Sequence, residues 1–93
     1  MTLKRYLIER QIPGVGQMTA AELCGAARSS NHAIDQLSGK VQWQHSYVAG
    51  DSTFCIYLAE DEDAVRKHSE ISGFPANRIV EIPGIIDPTT AIG

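Results

Sequence analysis

A pair of strand-like segments joined by a short polar turn constrains the fold of this chain more than any other feature. The segments are VQWQHSYV at 41–48 and TFCIYLA at 53–59, with AGDS at 49–52 between them. Runs rich in β-branched and aromatic residues on either side of a glycine-containing turn predict a β-hairpin. Because this hairpin occupies the middle of the chain, the elements on either side must pack around it.

The segment before the hairpin predicts one strand and one helix. LKRYLIER at 3–10 is typical of a strand, and IPGVGQ at 12–17 is typical of a loop because it contains proline and two glycines. Thr19, followed three residues later by Glu22, forms the capping-box pattern that begins a helix. We expect Gly39 to end this helix.

The segment after the hairpin predicts a second helix and a final strand. Within the acidic run EDED at 60–63, Asp61 is expected to cap the N-terminus of the helix, and Gly73 its C-terminus. RIVEI at 78–82 predicts the last strand, and residues 83–93 an extended tail. The resulting order, β-α-β-β-α-β, predicts a ferredoxin-like α+β fold whose antiparallel sheet carries both helices on one face.

The size and charge of the chain limit its class. Its 93 residues predict a single domain, 1–93, with a small core, and we expect the sheet face without helices to pair with a second copy in a homodimer. The formal net charge of −3 and the lack of a basic cluster argue against nucleic-acid binding. No apolar run reaches the length of a membrane span, so we expect a cytoplasmic protein without membrane association.

The length of the hairpin turn decides which residues share a face with His45. Strand alternation places Trp43, His45 and Tyr47 on one face. A turn of two or four residues would join them to the even-numbered residues of 53–59, whereas a three-residue turn would join them to the odd-numbered ones. The even turn collects the large apolar residues, so we expect this face to lie beneath the helices and Tyr57 to lie on the bare face.

His45 and His68 are expected to point into the space between the sheet and the helices. His68 lies on the apolar stripe of the second helix, which faces the sheet. The first helix offers only Ala27 and Ser30 at the centre of its stripe, and such small residues can leave a cavity. A cavity with two convergent imidazoles suits a metal ion or a small-molecule ligand. The alternative for each histidine is a hydrogen-bonded structural role.

Glu9 is the nearest candidate carboxylate, because it lies on a strand that should be central in the sheet. Its alternative role is an ion pair with Arg5 or Arg10. The candidate metal ligands are therefore His45, His68 and Glu9, and the aromatic candidates for the pocket wall are Trp43, Tyr47, Tyr57 and Phe74.

The chain resembles a family of small single-domain bacterial proteins of unknown function in four stretches: YLIERQIPG, WQHSYV, FCIYLAEDEDAVRKHSEISGFPANRIVEI and IDPTTA. One member of that family is described as a nickel-binding protein. The resemblance spans nearly the whole chain and implies a ferredoxin-like fold in a dimeric α+β barrel. It also implies nickel as the metal, with His45, His68 and Glu9 in the shared stretches, although such ligands suit Zn²⁺ and Cu²⁺ as well.

Three functions remain open from the sequence. We favour a metal-binding protein that is not an enzyme. Analogy of fold suggests a cofactor-independent oxygenase or isomerase in which His45 or His68 acts as general base. A regulatory domain that docks a partner through the bare sheet face and the IDPTTA tail is the third. We expect no nucleotide cofactor, because Gly14 and Gly16 form only a PGVG turn.

Overall fold

The strands and helices follow the predicted order, β-α-β-β-α-β, in the computed structural model, which describes residues 2–92. This order, with a four-stranded antiparallel sheet in residues 2–92, confirms the predicted α+β class. The strands are β1 (Lys4–Gln11), β2 (Val41–Ala49), β3 (Ser52–Ala59) and β4 (Arg78–Ile82), and the helices are α1 (Ala20–Asp35) and α2 (Glu62–Ser72).

The sheet has the strand order β2-β3-β1-β4, so β1 and β3 are central and β2 and β4 form the edges. Alternate residues of β1 are buried, and these are Tyr6, Ile8 and Arg10. The core lies between this covered face and the two helices, and its buried apolar residues are Tyr6, Ile8, Leu37, Val41, Cys55, Tyr57, Ala59, Ala64 and Val65. The opposite face, which we call the open face, has no helix of residues 2–92 packed on it.

The hairpin turn contains two residues, because Ala49 pairs with Ser52 across it. The even turn length is therefore confirmed, and Tyr47 lies opposite Phe54 as this turn requires. Gly50 in the turn has a φ of 61°, a left-handed conformation that glycine adopts without strain. Two-residue turns of this kind match the twist of the strands that they join.

The side of the hairpin that the helices cover was predicted wrongly. The odd-numbered residues of β3 are buried, whereas the even-numbered ones are half-exposed on the open face. The prediction assumed that the bulkiest residues lie inside. The helices instead cover the side that carries the small residues Thr53, Cys55 and Ala59. Small residues there allow α1 and α2 to pack close to the sheet.

A β-bulge in β2 separates Trp43 from His45. Trp43 pairs with Tyr57, but His45 pairs with Ile56, so Gln44 is an extra residue in the strand. The bulge turns Trp43 towards the core, where it packs beside the buried cluster, and leaves His45 on the open face. The expected grouping of the aromatic residues with His45 rested on regular alternation, which fails at the bulge.

Helix α1 begins as predicted but ends earlier. The Thr19 hydroxyl accepts a hydrogen bond from the Glu22 N–H at 3.2 Å, and the Glu22 carboxylate accepts one from the Thr19 N–H at 2.9 Å. The helix ends at Asp35 rather than at Gly39. Residues 36–39 form a turn, in which Ser38 has a φ of 52° and Gly39 a φ of 78°. These left-handed residues lead the chain into β2.

The second helix and the last strand have the predicted limits. The Asp61 side chain accepts a hydrogen bond from the Ala64 N–H at 2.8 Å, and Gly73 ends α2 with a φ of 81°. The tail is not fully extended as predicted, because Pro88–Ile92 form a short 3-10 helix. Asp87 begins it by accepting a hydrogen bond from the Thr89 N–H at 2.9 Å. Within residues 2–92, neither helix has the length and apolar character needed to cross a bilayer.

We expect the substitution Thr19→Ala to lower the free energy of unfolding by about 1 kcal/mol, because it removes the side chain that caps α1. Urea denaturation followed by circular dichroism measures the change. Ser29→Ala, at an exposed position inside the same helix, is the matched control and should be close to neutral. Equal stability of the two variants would contradict a stabilising role for the capping box.

Candidate functional site

A cavity of about 230 Å³ lies between α1 and the covered face of the sheet and is partly open to solvent. It exists because α1 presents small side chains to the sheet at Ala26, Ala27 and Ser30. Most of the wall is apolar, which is typical of small-molecule sites. The cavity is lined by Arg10, Ile12, Val15, Met18, Leu23, Ala26, Ala27, Ser30, Trp43, Ser46, Val48, Thr53, Cys55, Tyr57 and Phe74.

Arg10 provides the charge of this cavity. Strand alternation turns it to the covered face, and only 1% of its surface is exposed. Its Nη1 donates hydrogen bonds to the Ser69 hydroxyl at 3.0 Å and to the Pro75 carbonyl oxygen at 2.6 Å. Its Nη2 is buried without a hydrogen-bond partner, and the ion pairs within residues 2–92 do not include Arg10. The guanidinium is therefore a buried cation held by neutral groups.

Aromatic rings flank the Arg10 guanidinium. The centroids of the Tyr57 and Phe74 rings each lie 5.9 Å from its central carbon. Arg10 ends the covered face of β1, Tyr57 comes from β3, and Phe74 follows the cap of α2. Contacts of a cation with ring faces offset part of the cost of burying it.

His68 is fully buried next to this group, on the side of α2 that faces the sheet. Its Nε2 lies 3.1 Å from the Ser30 hydroxyl and 3.3 Å from the Ser30 carbonyl oxygen. Because a carbonyl oxygen can only accept, this contact assigns the ring proton to Nε2 and leaves Nδ1 as an acceptor. Nδ1 has no partner, and the ring lies 4.9 Å from that of Tyr57.

His68 and Tyr57, which lie beside Arg10, are neutral at pH 7. Burial lowers the pKa of His68 from 6.5 to about 4, and the positive charge of Arg10 acts in the same direction. Burial raises the pKa of the Tyr57 phenol, whose oxygen lies 3.4 Å from the Ser30 hydroxyl. The polar end of the cavity therefore carries one positive charge surrounded by neutral donors and acceptors.

A metal cation does not fit beside His68. The guanidinium of Arg10 would repel it, and no carboxylate is among the residues that line the cavity. Within residues 2–92 there is also no group of three histidine, cysteine, aspartate or glutamate side chains placed to hold a metal ion. His68 contributes a structural hydrogen bond to α1 instead, which was the alternative considered for it.

The structure places His45 and Glu9 on the open face, away from His68. His45 is exposed on edge strand β2, with its Nε2 3.2 Å from the Tyr47 hydroxyl. Glu9 lies opposite Phe54, between covered residues of β1. The expectation that His45 and His68 converge in one cavity is therefore wrong. The reversed face of the hairpin is the physical reason, because the two-residue turn sets His45 opposite Ile56 and the even-numbered residues of β3 lie on the open face.

The aromatic candidates divide in the same way. Trp43, Tyr57 and Phe74 line the cavity, whereas Tyr47 is 60% exposed on the open face. From the sequence, Arg10 was considered only as an ion-pair partner of Glu9, and its place in the cavity was missed. The signal was its even-numbered position on β1 with Tyr6 and Ile8, since the odd-numbered positions of this strand carry Leu7 between the charged residues Arg5 and Glu9.

These features define a small α+β protein whose antiparallel sheet and two helices enclose a mainly apolar cavity. The chain belongs to the family described as nickel responsive protein SCO4226-like, whose model matches residues 6–82. The crystal structure of SCO4226 from Streptomyces coelicolor A3(2) has a TM-score of 0.74 to this chain, with 18% identity. The alignment covers 88% of this chain and 99% of SCO4226, and it establishes the shared fold. No curated protein matches the sequence.

The depressed pKa of His68 predicts a stability that depends on pH. Between pH 6.5 and 4 the unfolded chain binds a proton at His68 that the folded chain does not. We therefore expect the free energy of unfolding to fall by about 2 to 3 kcal/mol as the pH is lowered through this range. His68→Gln keeps a donor for Ser30 and should remove most of this fall.

Urea denaturation at several pH values measures the slope. His32→Gln is the matched control, because His32 is exposed on α1 and should leave the slope unchanged. If His68→Gln and the unmodified protein lose equal stability between pH 6.5 and 4, another group is responsible for the dependence.

Proposed function

We propose that this protein is a small nickel-binding homodimer in which His45 is a metal ligand. The observation that carries the proposal is the position of His45, whose imidazole is exposed on the open face, whereas that of His68 is buried beside Arg10. Membership in a family described as nickel responsive supports nickel as the metal. Neutral imidazole nitrogen is a good ligand for Ni²⁺ at pH 7.

The composition of the open face supports a second copy as its partner. Strands β1, β3 and β4 direct apolar side chains to this face, where they are half-exposed in the single chain. An antiparallel sheet commonly has one face buried, and a contiguous apolar surface indicates an interface. A face that is largely apolar can pair with a copy of itself about a two-fold axis. The apolar residues concerned are Leu7, Phe54, Ile56, Leu58, Val80 and Ile82.

Dimerisation would also supply the ligands that one chain lacks. A single imidazole binds a divalent metal weakly, and residues 2–92 of one chain contain no cluster of three ligands. Two open faces packed together bring two copies of His45 and two of Glu9 to one interface. Glu9 and Tyr47 lie on either side of Phe54 in one row across the sheet. Because the His45 side chain contacts Tyr47, the Glu9 carboxylate and His45 occupy the same half of the open face. Water would complete the coordination of the metal.

The His45→Ala variant tests the metal site. We expect the demetallated protein to bind Ni²⁺ with measurable heat in a calorimetric titration, and His45→Ala to bind it at least about tenfold more weakly, because an imidazole ligand is lost. His32→Ala is the matched control, since His32 is also exposed but lies on α1. Equal Ni²⁺ affinity of His45→Ala and the unmodified protein would overturn the proposal.

The Ile56→Glu variant tests the interface. Ile56 lies at the centre of the open face, where it pairs with both Leu7 and His45. We expect the unmodified protein to be a dimer at micromolar concentration by light scattering, and Ile56→Glu to be a monomer, because burying an unpaired carboxylate is unfavourable. Ala21→Glu, on the exposed side of α1, should remain a dimer. A monomeric unmodified protein would rule out this interface.

A further inference from the structure

We propose that the cavity between α1 and the sheet binds a small aromatic carboxylate whose anionic group pairs with Arg10. This inference concerns the covered face and is independent of the nickel site proposed on the open face. It rests on three features of the cavity, which are a buried guanidinium with a free donor, an apolar wall, and the absence of other charge among the described residues that line it.

The burial of the Arg10 guanidinium without a counter-charge indicates an anionic ligand. Burying a guanidinium is unfavourable unless its donors are paired and its charge is balanced. Here Nη1 is satisfied by Ser69 and Pro75, but Nη2 is buried with no partner, and no carboxylate of residues 2–92 pairs with Arg10. A carboxylate is the ligand group that matches guanidinium donors in both geometry and charge. A carboxylate placed in the cavity against Arg10 would balance this buried charge.

The apolar and aromatic residues of the cavity wall indicate that the rest of the ligand is apolar and flat. The cavity of about 230 Å³ is lined by Trp43 and Phe74, together with apolar side chains such as Met18 and Leu23. A dry apolar cavity of about 150 Å³ is sufficient for a benzene ring. The present cavity has room for a single ring and a carboxylate, and aromatic walls favour a ring that can stack or meet them edge to face.

The remaining polar groups restrict the charge of the ligand to one. Tyr57 and Ser30 are neutral at pH 7, and their hydroxyls can donate to an oxygen of the ligand. Thr53 adds a third hydroxyl to the lining. Arg10 is the one cation among the described lining residues, so a second carboxylate would be buried without a counter-charge. A monocarboxylate therefore fits better than a dicarboxylate, a neutral amide or an amine.

Fluorescence titration with benzoate tests the site, because Trp43 is the single tryptophan of the chain and lines the cavity. We expect a saturable change in fluorescence with benzoate. Benzamide and benzylamine, which have the same ring but neutral and positive groups, should bind at least about tenfold more weakly. Inorganic phosphate should give no saturable change, because it lacks the apolar body. The titrations contain a chelator, so that they do not depend on the nickel site.

Two variants separate a binding role from a structural one. Arg10→Met should lose the preference for benzoate over benzamide, because it removes the charge but keeps an apolar side chain. Ala27→Leu keeps Arg10 and fills the cavity from α1, and it should abolish the benzoate response in a folded protein. Ala21→Leu, on the exposed side of the same helix, should bind benzoate like the unmodified protein.

Three results would overturn the proposal. The first is a titration of the unmodified protein in which benzoate gives no saturable response. The second is equal binding of benzoate and benzamide, which would remove the charge from the argument. The third is full benzoate affinity in Ala27→Leu, which would place the ligand elsewhere. If Arg10→Met does not fold, Ala27→Leu and the comparison of the three benzene derivatives still decide the question.

Discussion

The antiparallel pairing of β1 with β3 is the constraint on which the rest of the structure depends. These are the two central strands, and their register sets Ile8 opposite Cys55 and Glu9 opposite Phe54. Because side chains alternate between the faces of a sheet, a slip of one residue would exchange the covered and open sets. The register thus decides at once that Arg10 is inside and Glu9 is outside. Every property of the two faces follows from this choice.

On the covered face, the same register brings a charge into an apolar interior. Arg10 donates to Ser69 on α2 and to the Pro75 carbonyl oxygen just after it, so it fixes the C-terminal end of α2 against the end of β1. Part of the cost of its burial is offset by these bonds and by the rings of Tyr57 and Phe74. The unpaired Nη2 shows that the offset is incomplete without a further acceptor.

The two faces therefore offer opposite chemistry. Among the described residues, the cavity on the covered face is lined by one cation, Arg10, and by hydroxyl donors, with a neutral His68 beside it, and together these suit an anion and repel a metal ion. The open face holds an exposed His45 and a half-exposed Glu9 among half-exposed apolar residues, and the proposed nickel site and interface rest on these residues. A four-stranded sheet with helices on one side keeps these chemistries apart, because no side chain can reach both faces.

The sequence by itself determined the elements and their order. The capping box at Thr19, the cap at Asp61, the left-handed Gly73 and the even hairpin turn were all predicted, because each depends on residues close together in the chain. The α+β class followed from their order. Small residues on the first helix also indicated a cavity, and Trp43 and Phe74 line one together with Tyr57, which had been expected on the bare face.

Tertiary structure alone decided which face of the sheet is covered. Both sides of the strands carry apolar residues, so alternation cannot distinguish them, and the bulge at Gln44 leaves no signal in the local pattern. The choice of covered face separated His45 from His68 and brought Arg10 to the cavity instead, while the bulge turned Trp43 to the face opposite His45. The physical reason is that helices cover the side against which they pack most closely, and this depends on contacts between residues distant in the chain.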